Sequence, residues 1–156
     1  SRGLGDVYKR QELGSIIGHE VTFDQCLYAW KGYVGELPRR NLAVLRKLRA
    51  GGYRLVLVSN TNPYMMHWAM SGEFDGEGNS LADYFDATYM SYRIEAMKPD
   101  VRFFRHVLDK ERIDPAETLF LDDGQRNIEA AERFGIRTFR PDNGADWTEE
   151  IYKYLD

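Results

Sequence analysis

The order of apolar and polar positions along the chain predicts strands that alternate with amphipathic helices. Residues 53–60 form a continuous run rich in Val and Leu, which is typical of a strand buried on both faces of a parallel sheet. Further strands are predicted over residues 87–92, 118–122 and 136–140. Because strands and helices alternate, the predicted fold class is α/β, a Rossmann-like parallel sheet in three layers with helices on both faces.

Helix-start residues and helical spacing predict the helices between these strands. Thr22 is the expected N-cap of one helix, while Pro38 and Pro63 open two others. Two more are predicted over residues 99–112 and 125–134, and a closing helix follows near the end of the chain. The polar stretch over residues 71–80 predicts a solvated loop between the helix that Pro63 opens and the next strand.

The first residues of the chain, 1–11, differ from the rest. They read SRGLGDVYKRQ and have no apolar periodicity, no cap residue and no initiating Met. They resemble translated adapter sequence of the kind left at the ends of assembled metagenomic reads. We therefore expect a non-native leader here and exclude it from the fold prediction.

Composition and charge narrow the classes of protein. The 156 residues are 43% hydrophobic and 29% charged, and with a net charge of -4 nothing indicates a nucleic-acid footprint. No apolar run reaches the length of a membrane span. Cys26 is the single cysteine, so an intrachain disulfide is excluded and a reduced, cytoplasmic setting is expected. Oligomeric state is not predicted.

Polar side chains stand where three successive predicted strands end. The first strand ends in Ser59 and Asn60, which supply hydroxyl and amide donors. Lys98 follows the second strand, and Asp122 and Asp123 end the third. Since ligands of open α/β sheets bind beyond the carboxyl ends of the strands, we expect these side chains to form one site.

The residue types at these strand ends are those of a phosphoryl-transfer pocket. Two adjacent carboxylates that stay ionised need a cation, and Mg²⁺ commonly joins one or two carboxylates to a substrate phosphate. Each residue alone has a plainer alternative. Ser59 alone more often caps a helix, and Lys98 alone is more often a solvated lysine. Asp122 and Asp123 alone serve equally as helix cap and first-turn acid. Their conjunction favours the phosphate and metal site.

Three segments resemble a known family. In order, LVLVSNTN, MKPD and LFLDDGQRNIEAAERFGIRTF resemble motifs two, three and four of the haloacid dehalogenase-like hydrolase superfamily, over residues 20–150. The subgroup is one with a helical cap that includes α-glucose-1-phosphate phosphatase-type enzymes. The resemblance implies an Mg²⁺-dependent phosphomonoester hydrolase that acts on a small phosphorylated metabolite, such as a sugar phosphate, through an aspartyl-phosphate. Bacterial receiver domains use similar residues, but there the acid pair comes first and the lysine last.

The resemblance also implies a role for each residue. Ser59 would donate to the phosphoryl oxygens, with Asn60 lining the same pocket, and Lys98 would neutralise the phosphate and position the nucleophile. Asp123 would bind Mg²⁺ directly, and Asp122 would bind it through water or hold the acidic loop. The role implied for Asn127, one turn further on, is to support that loop without touching the metal.

The family's first motif, an apolar strand ending in Asp-x-Asp that carries the nucleophile, is missing. Only Asp6 and Asp24 precede the Ser59 motif, and neither follows an apolar strand. We therefore expect a truncated chain that lacks the central strand and has negligible turnover. Residues 12–50 would be the remnant of the cap and its return to the core, and residues 51–156 the α/β core. The alternative is a non-catalytic relative that binds phosphorylated ligands or a protein partner.

Overall fold

The computed structural model describes residues 4–155, with side chains from residue 10 onward. The chain divides into two compact units that meet in sequence between Arg93 and Ile94. The division predicted after residue 50 stays a prediction. Of the expected leader, residues 1–3 lie outside the described part, and the remainder lies in a helix that the apolar pattern did not predict.

The first unit contains most of the helices and one pair of strands. Its elements are helix α1 (Leu4–Ile17), helix α2 (Phe23–Lys31), helix α3 (Arg39–Ala50), strand β1 (Val56–Ser59), helix α4 (Pro63–Ala69), a 3₁₀ helix (Leu81–Tyr84) and strand β2 (Ala87–Met90). Helix α5 (Ser91–Ile94) spans the boundary between the units.

Strands β1 and β2 pair in parallel, as predicted. The register joins Val56 to Ala87 and Ser59 to Met90. Strand β1 is shorter than the apolar run from which it was predicted, and its residues are half-buried. The prediction of burial on both faces was therefore wrong for this strand.

Local capping explains where two helices of the first unit begin. The Thr22 hydroxyl accepts from the Gln25 amide at 3.2 Å, and the Gln25 side chain accepts from the Thr22 amide at 2.9 Å. This reciprocal capping box starts α2, and Thr22 is its N-cap, as predicted. Helix α4 begins after Asn62, whose side chain accepts from the amides of Tyr64 and Met65.

The core of the first unit lies where α3 and α4 meet the strand pair and the loop after α4. Its buried members are Leu42, Met66, Ala69, Phe74, Tyr84 and Met90. A smaller cluster joins α2 to α4 through Val21, Cys26 and Tyr64. Cys26 is a buried free thiol.

The loop over residues 71–80 is not simply solvated, because it contains a buried carboxylate. Asp75 accepts hydrogen bonds from the amides of Glu77 and Asn79, from the Asn79 side chain and from the Tyr84 hydroxyl, at 2.6–3.0 Å. Arg46 donates to the same Tyr84 hydroxyl at 2.8 Å. Burial raises the pKa of Asp75, but these hydrogen bonds outweigh it and hold the pKa well below its usual range.

We expect Asp75→Asn to destabilise the chain at neutral pH, because the new amide points two donors at the donors of Asn79 and Tyr84. The depressed pKa of Asp75 contributes stability that is complete above the unfolded value of about 3.9 and is lost as the pH falls below it. The difference between wild type and variant should thus be large at neutral pH and shrink in acid. Urea denaturation at both pH values measures it, and a difference independent of pH would contradict this explanation.

The second unit holds the other strand pair. Its elements are helix α6 (Val101–Glu111), a 3₁₀ helix (Pro115–Glu117), strand β3 (Leu119–Leu121), helix α7 (Gln125–Glu132), strand β4 (Arg137–Phe139) and a second 3₁₀ helix (Glu150–Lys153). Strands β3 and β4 are parallel, with Leu119 opposite Arg137 and Leu121 opposite Phe139.

Two predictions for the second unit need correction. Helix α6 starts later than predicted, after its N-cap Asp100, so that Val101 is exposed while Phe103 is buried. The predicted closing helix is only the short 3₁₀ helix, in which Ile151 is buried.

The α/β class and the parallel pairing are confirmed. Within residues 4–155, the strands form two separate two-stranded parallel sheets. The absence of a central strand stays a prediction. No helix in the described part of the chain is long and apolar enough to cross a membrane.

Candidate active site

A buried ion pair joins two of the predicted site residues. Lys98 Nζ lies 2.5 Å from Asp122 Oδ2, and the two side chains are only 8% and 7% exposed. Lys98 precedes α6, and Asp122 follows directly after β3. Removing two charges from water is costly unless they compensate each other, so the two residues depend on each other for their burial. The solvated-lysine alternative for Lys98 was therefore wrong.

The second oxygen of Asp122 is also occupied. Oδ1 accepts from the Gly124 amide at 2.8 Å and from Asn127 Nδ2 at 2.9 Å. Burial raises the pKa of Asp122, but hydrogen bonds from Lys98, Asn127 and Gly124 outweigh it, so the pKa lies below its usual value. Asp122 is thus held as a carboxylate at neutral pH.

The backbone at Asp122 is hydrogen-bonded to the neighbouring strand. The Asp122 amide donates to the Phe139 carbonyl at 3.3 Å, which continues the β3–β4 pairing by one residue. Helix α7 then begins after Gly124, its N-cap residue, with no side-chain cap. The alternative that Asp122 or Asp123 caps this helix was therefore wrong.

Gly124 leaves no room for a side chain. A Cβ atom at this position would lie 2.9 Å from Asn127 Nδ2 and 3.0 Å from Asp122 Oδ1. Both atoms belong to the hydrogen bond that orients Asp122. A glycine is thus required for the close approach of Asn127 to the carboxylate.

We expect Gly124→Ala to cost about 1–3 kcal/mol of unfolding free energy, because Asn127 has to move away from Asp122. Chemical denaturation measures the cost, and the side-chain amide resonance of Asn127 reports the movement. Gly35→Ala is the matched control, since nothing lies within 4 Å of a Cβ there. Equal effects of the two substitutions would contradict the proposed crowding.

Asp123 differs from Asp122 in its surroundings. Its side chain is exposed, and within residues 10–155 it forms no ion pair or side-chain hydrogen bond. The two adjacent acids therefore divide their tasks: one is held by protein donors, and the other is available to a ligand.

The donor set of these two acids fits Mg²⁺. That ion prefers oxygen ligands, keeps several waters and is commonly bound by one or two carboxylates together with substrate phosphate. The described side chains contain no group of three or more His, Cys, Asp and Glu residues arranged to hold a metal. Asp122 and Asp123 thus match the one or two carboxylates that a magnesium site usually takes from the protein.

Ser59 and Asn60 belong to the first unit. Ser59 is the last residue of β1 and is half-buried, while Asn60 is exposed. Since Asn62 caps α4, the alternative that Ser59 serves as the helix cap was wrong. Ser91, directly after β2, was not among the predicted site residues. Its hydroxyl accepts from the Thr61 amide at 3.0 Å and donates to the Thr61 carbonyl.

The predicted residues therefore fall into two described groups. Lys98, Asp122 and Asn127 are in contact with one another through Asp122, beside Asp123. The other group is Ser59 and Asn60. That all of them act together stays a prediction, as do their individual roles.

Comparisons with known proteins agree with the motifs. A family model described as haloacid dehalogenase-like hydrolase matches residues 17–135. The chain is 42% identical over 147 residues to a D-ribitol-5-phosphate phosphatase from Bacteroides thetaiotaomicron, with 94% of this chain and 71% of that protein covered.

Solved structures give the same result. A predicted HAD-like family hydrolase from Porphyromonas gingivalis has a TM-score of 0.87 and 39% identity over 93% of this chain and 70% of that one. A mutant HAD family enzyme from Bacteroides thetaiotaomicron, in complex with magnesium and inorganic phosphate, has a TM-score of 0.83 and 33% identity over 93% and 74%. The chain belongs to the haloacid dehalogenase-like hydrolases, and its relatives place it among the phosphatases of that family.

Proposed function

We propose that the chain provides the phosphate and metal residues of an Mg²⁺-dependent phosphomonoester hydrolase, whose substrate is a small phosphorylated polyol or sugar. The observation that carries this proposal is the buried network in which Lys98, Asn127 and the Gly124 amide hold Asp122 and leave Asp123 exposed. The similarity to a D-ribitol-5-phosphate phosphatase supports the substrate class. The relative crystallised with magnesium and inorganic phosphate supports the ion.

Each residue has a task in this proposal. Ser59 and Asn60 donate hydrogen bonds to phosphoryl oxygens, and the Lys98 ammonium offsets their negative charge. Asp123 binds Mg²⁺ directly, while Asp122 supports it through water and keeps Lys98 in place. When bound, the ion supplies charge stabilisation to the phosphoryl group as a Lewis acid.

Neither aspartate that precedes the Ser59 motif stands where the resemblance puts the attacking carboxylate, at the end of a strand. Asp24 lies in the first turn of α2, and Asp6 lies within α1, so neither follows a strand. We therefore propose that these residues by themselves bind the ion and phosphate but have negligible turnover. The second candidate is a non-catalytic relative that binds phosphorylated ligands. The contact between Lys98 and Asp122 favours it, because that contact supports binding without requiring a nucleophile.

Binding and turnover are tested separately on the same chain. Titration with Mg²⁺ and then inorganic phosphate should shift the amide resonances of Asp122, Asp123 and Ser59. A hydrolysis assay with D-ribitol 5-phosphate and an aryl phosphate should show no turnover. Absence of any Mg²⁺ or phosphate response would contradict the proposed function. Turnover that Lys98→Ala abolishes would instead contradict the proposed inactivity.

A further inference from the structure

Four positions in the sequence pair an asparagine or aspartate with a following glycine or serine. At such a pair, the backbone nitrogen of the second residue can attack the side-chain carbonyl carbon of the first, because little or no side chain blocks the approach. The attack closes a succinimide ring and ends in a changed residue. The four pairs are Asp75-Gly76, Asn79-Ser80, Asp123-Gly124 and Asn143-Gly144.

The pair Asp75-Gly76 is protected by the negative charge of its carboxylate. Burial raises the pKa of Asp75, but hydrogen bonds from Tyr84 and Asn79 outweigh it, so the pKa lies well below its usual range. Asp75 is therefore ionised at neutral pH. An ionised carboxylate resists attack by a nucleophile, so this pair is stable in the folded chain.

The pair Asn79-Ser80 is held at both of its reacting groups. The Asn79 side-chain amide donates to Asp75 at 2.7 Å, which fixes the carbonyl carbon that would be attacked. The Ser80 backbone amide, which would attack, donates instead to the Asp83 carboxylate at 2.6 Å. The fold therefore keeps the two groups from reacting with each other.

The pair Asp123-Gly124 is protected by a hydrogen bond of the candidate site. The Gly124 amide, the group that would attack Asp123, donates its proton to Asp122 Oδ1 at 2.8 Å. Asp122 also takes part in the buried ion pair with Lys98, so this acceptor stays in place. The contact that orients Asp122 thus also preserves the exposed carboxylate of its neighbour.

The pair Asn143-Gly144 has none of these protections. Both residues are exposed, and within residues 10–155 neither the Asn143 side chain nor the Gly144 amide forms a hydrogen bond. They lie in a turn that is closed by the Ala145 amide, which donates to the Asp142 carbonyl at 3.0 Å. A Cβ atom at Gly144, where φ is +76°, would meet nothing within 4 Å, so the space beside the reacting peptide bond is open.

We propose that Asn143 is a modification site at which the folded chain deamidates without an enzyme. After losing its proton to water, the Gly144 nitrogen attacks Cγ of Asn143 and forms a C–N bond. The bond from Cγ to Nδ2 then breaks, and ammonia leaves with a proton taken from water. Water opens the succinimide at either carbonyl, which gives aspartate or isoaspartate. One water is consumed for each ammonia released, and the inference does not depend on the proposed function.

The product changes the turn in two ways. Either form places a new carboxylate between the exposed acids Asp142 and Asp146. Isoaspartate also routes the main chain through the side-chain carbon, which adds a backbone atom within the turn. We expect the hydrogen bond from Ala145 to Asp142 to break, so that the Ala145 amide exchanges with solvent more quickly once the residue has changed.

Incubation of the folded chain in mildly alkaline buffer, followed by peptide mapping with mass spectrometry, tests the proposal. Asn143 should be converted at least about tenfold faster than Asn79, and an isoaspartyl methyltransferase should label the incubated chain. The rate should rise with pH, since the attacking nitrogen must first lose its proton. Asn143→Gln keeps an exposed amide but would need a larger ring, so this matched control should abolish the label.

Unfolding in urea separates the effect of the fold from that of the sequence. Urea removes the hydrogen bonds of Asn79 and Ser80, so conversion of Asn79 should become faster than in the folded chain. The inference is overturned if Asn143 stays intact in the folded chain, or if Asn79 is converted there as fast as Asn143. It is equally overturned if the Asn143→Gln variant is labelled as strongly as wild type.

Discussion

Lys98→Met is expected to lower the free energy of unfolding by about 3–5 kcal/mol, because it leaves the buried carboxylate of Asp122 without its cation. Methionine keeps most of the volume beside Phe120, whose ring centroid lies 5.4 Å from the lysine ammonium. The loss therefore arises chiefly from charge rather than from a cavity. Urea denaturation followed by circular dichroism measures it.

A double-mutant cycle isolates the pairing from other effects of the substitution. Once Asp122→Leu has removed the carboxylate, Lys98→Met should cost far less, since an apolar pair of similar volume replaces a buried ion pair at little net cost. Asp122→Leu by itself should be costly, because Lys98 then remains buried without the carboxylate that balances its charge. If Lys98→Met costs the same in both backgrounds, the ion pair is not the source of the stability.

Local signals made much of the fold predictable. The capping box of Thr22 and Gln25 is complete within four residues, so the start of α2 can be read from the sequence. The parallel pairing followed from the alternation of strands and helices, which holds for β1–β2 and β3–β4 alike.

Other features depend on packing that a local pattern does not encode. Helix α1 went unpredicted because residues 1–11 show no apolar periodicity, and Leu13, Ile16 and Ile17, later in the helix, are all exposed. Asp75 looked like one more polar loop residue. Its burial depends on Tyr84, nine positions later in a different element.

At the candidate site too, the sequence predicted some features and not others. Residue type and order at the strand ends were enough to single out Lys98, Asp122 and Asp123. The sequence alone did not show that Asp122 is enclosed by protein donors while Asp123 is exposed, because adjacent residues of identical type differ only in the direction they take after β3. That asymmetry now gives the two acids different expected phenotypes.

Asp123→Asn is expected to weaken Mg²⁺ binding by roughly tenfold or more, since it removes the exposed carboxylate proposed as the direct ligand. Its free energy of unfolding should change by less than about 0.5 kcal/mol, as is usual for an exposed side chain without partners. Amide shifts during a Mg²⁺ titration measure the first effect, and urea denaturation measures the second. Asp109→Asn, the same change at another exposed aspartate, is the matched control for charge and should alter neither quantity.

Asp122→Asn should show the opposite balance. The amide cannot accept from Lys98, Asn127 and the Gly124 amide together, so this variant loses stability as well as Mg²⁺ binding. The pair of substitutions thus separates direct ligation from support of the ligand. If Asp123→Asn keeps wild-type Mg²⁺ affinity while Asp122→Asn abolishes it without loss of stability, the direct ligand is Asp122, and the proposed division between the two carboxylates is wrong.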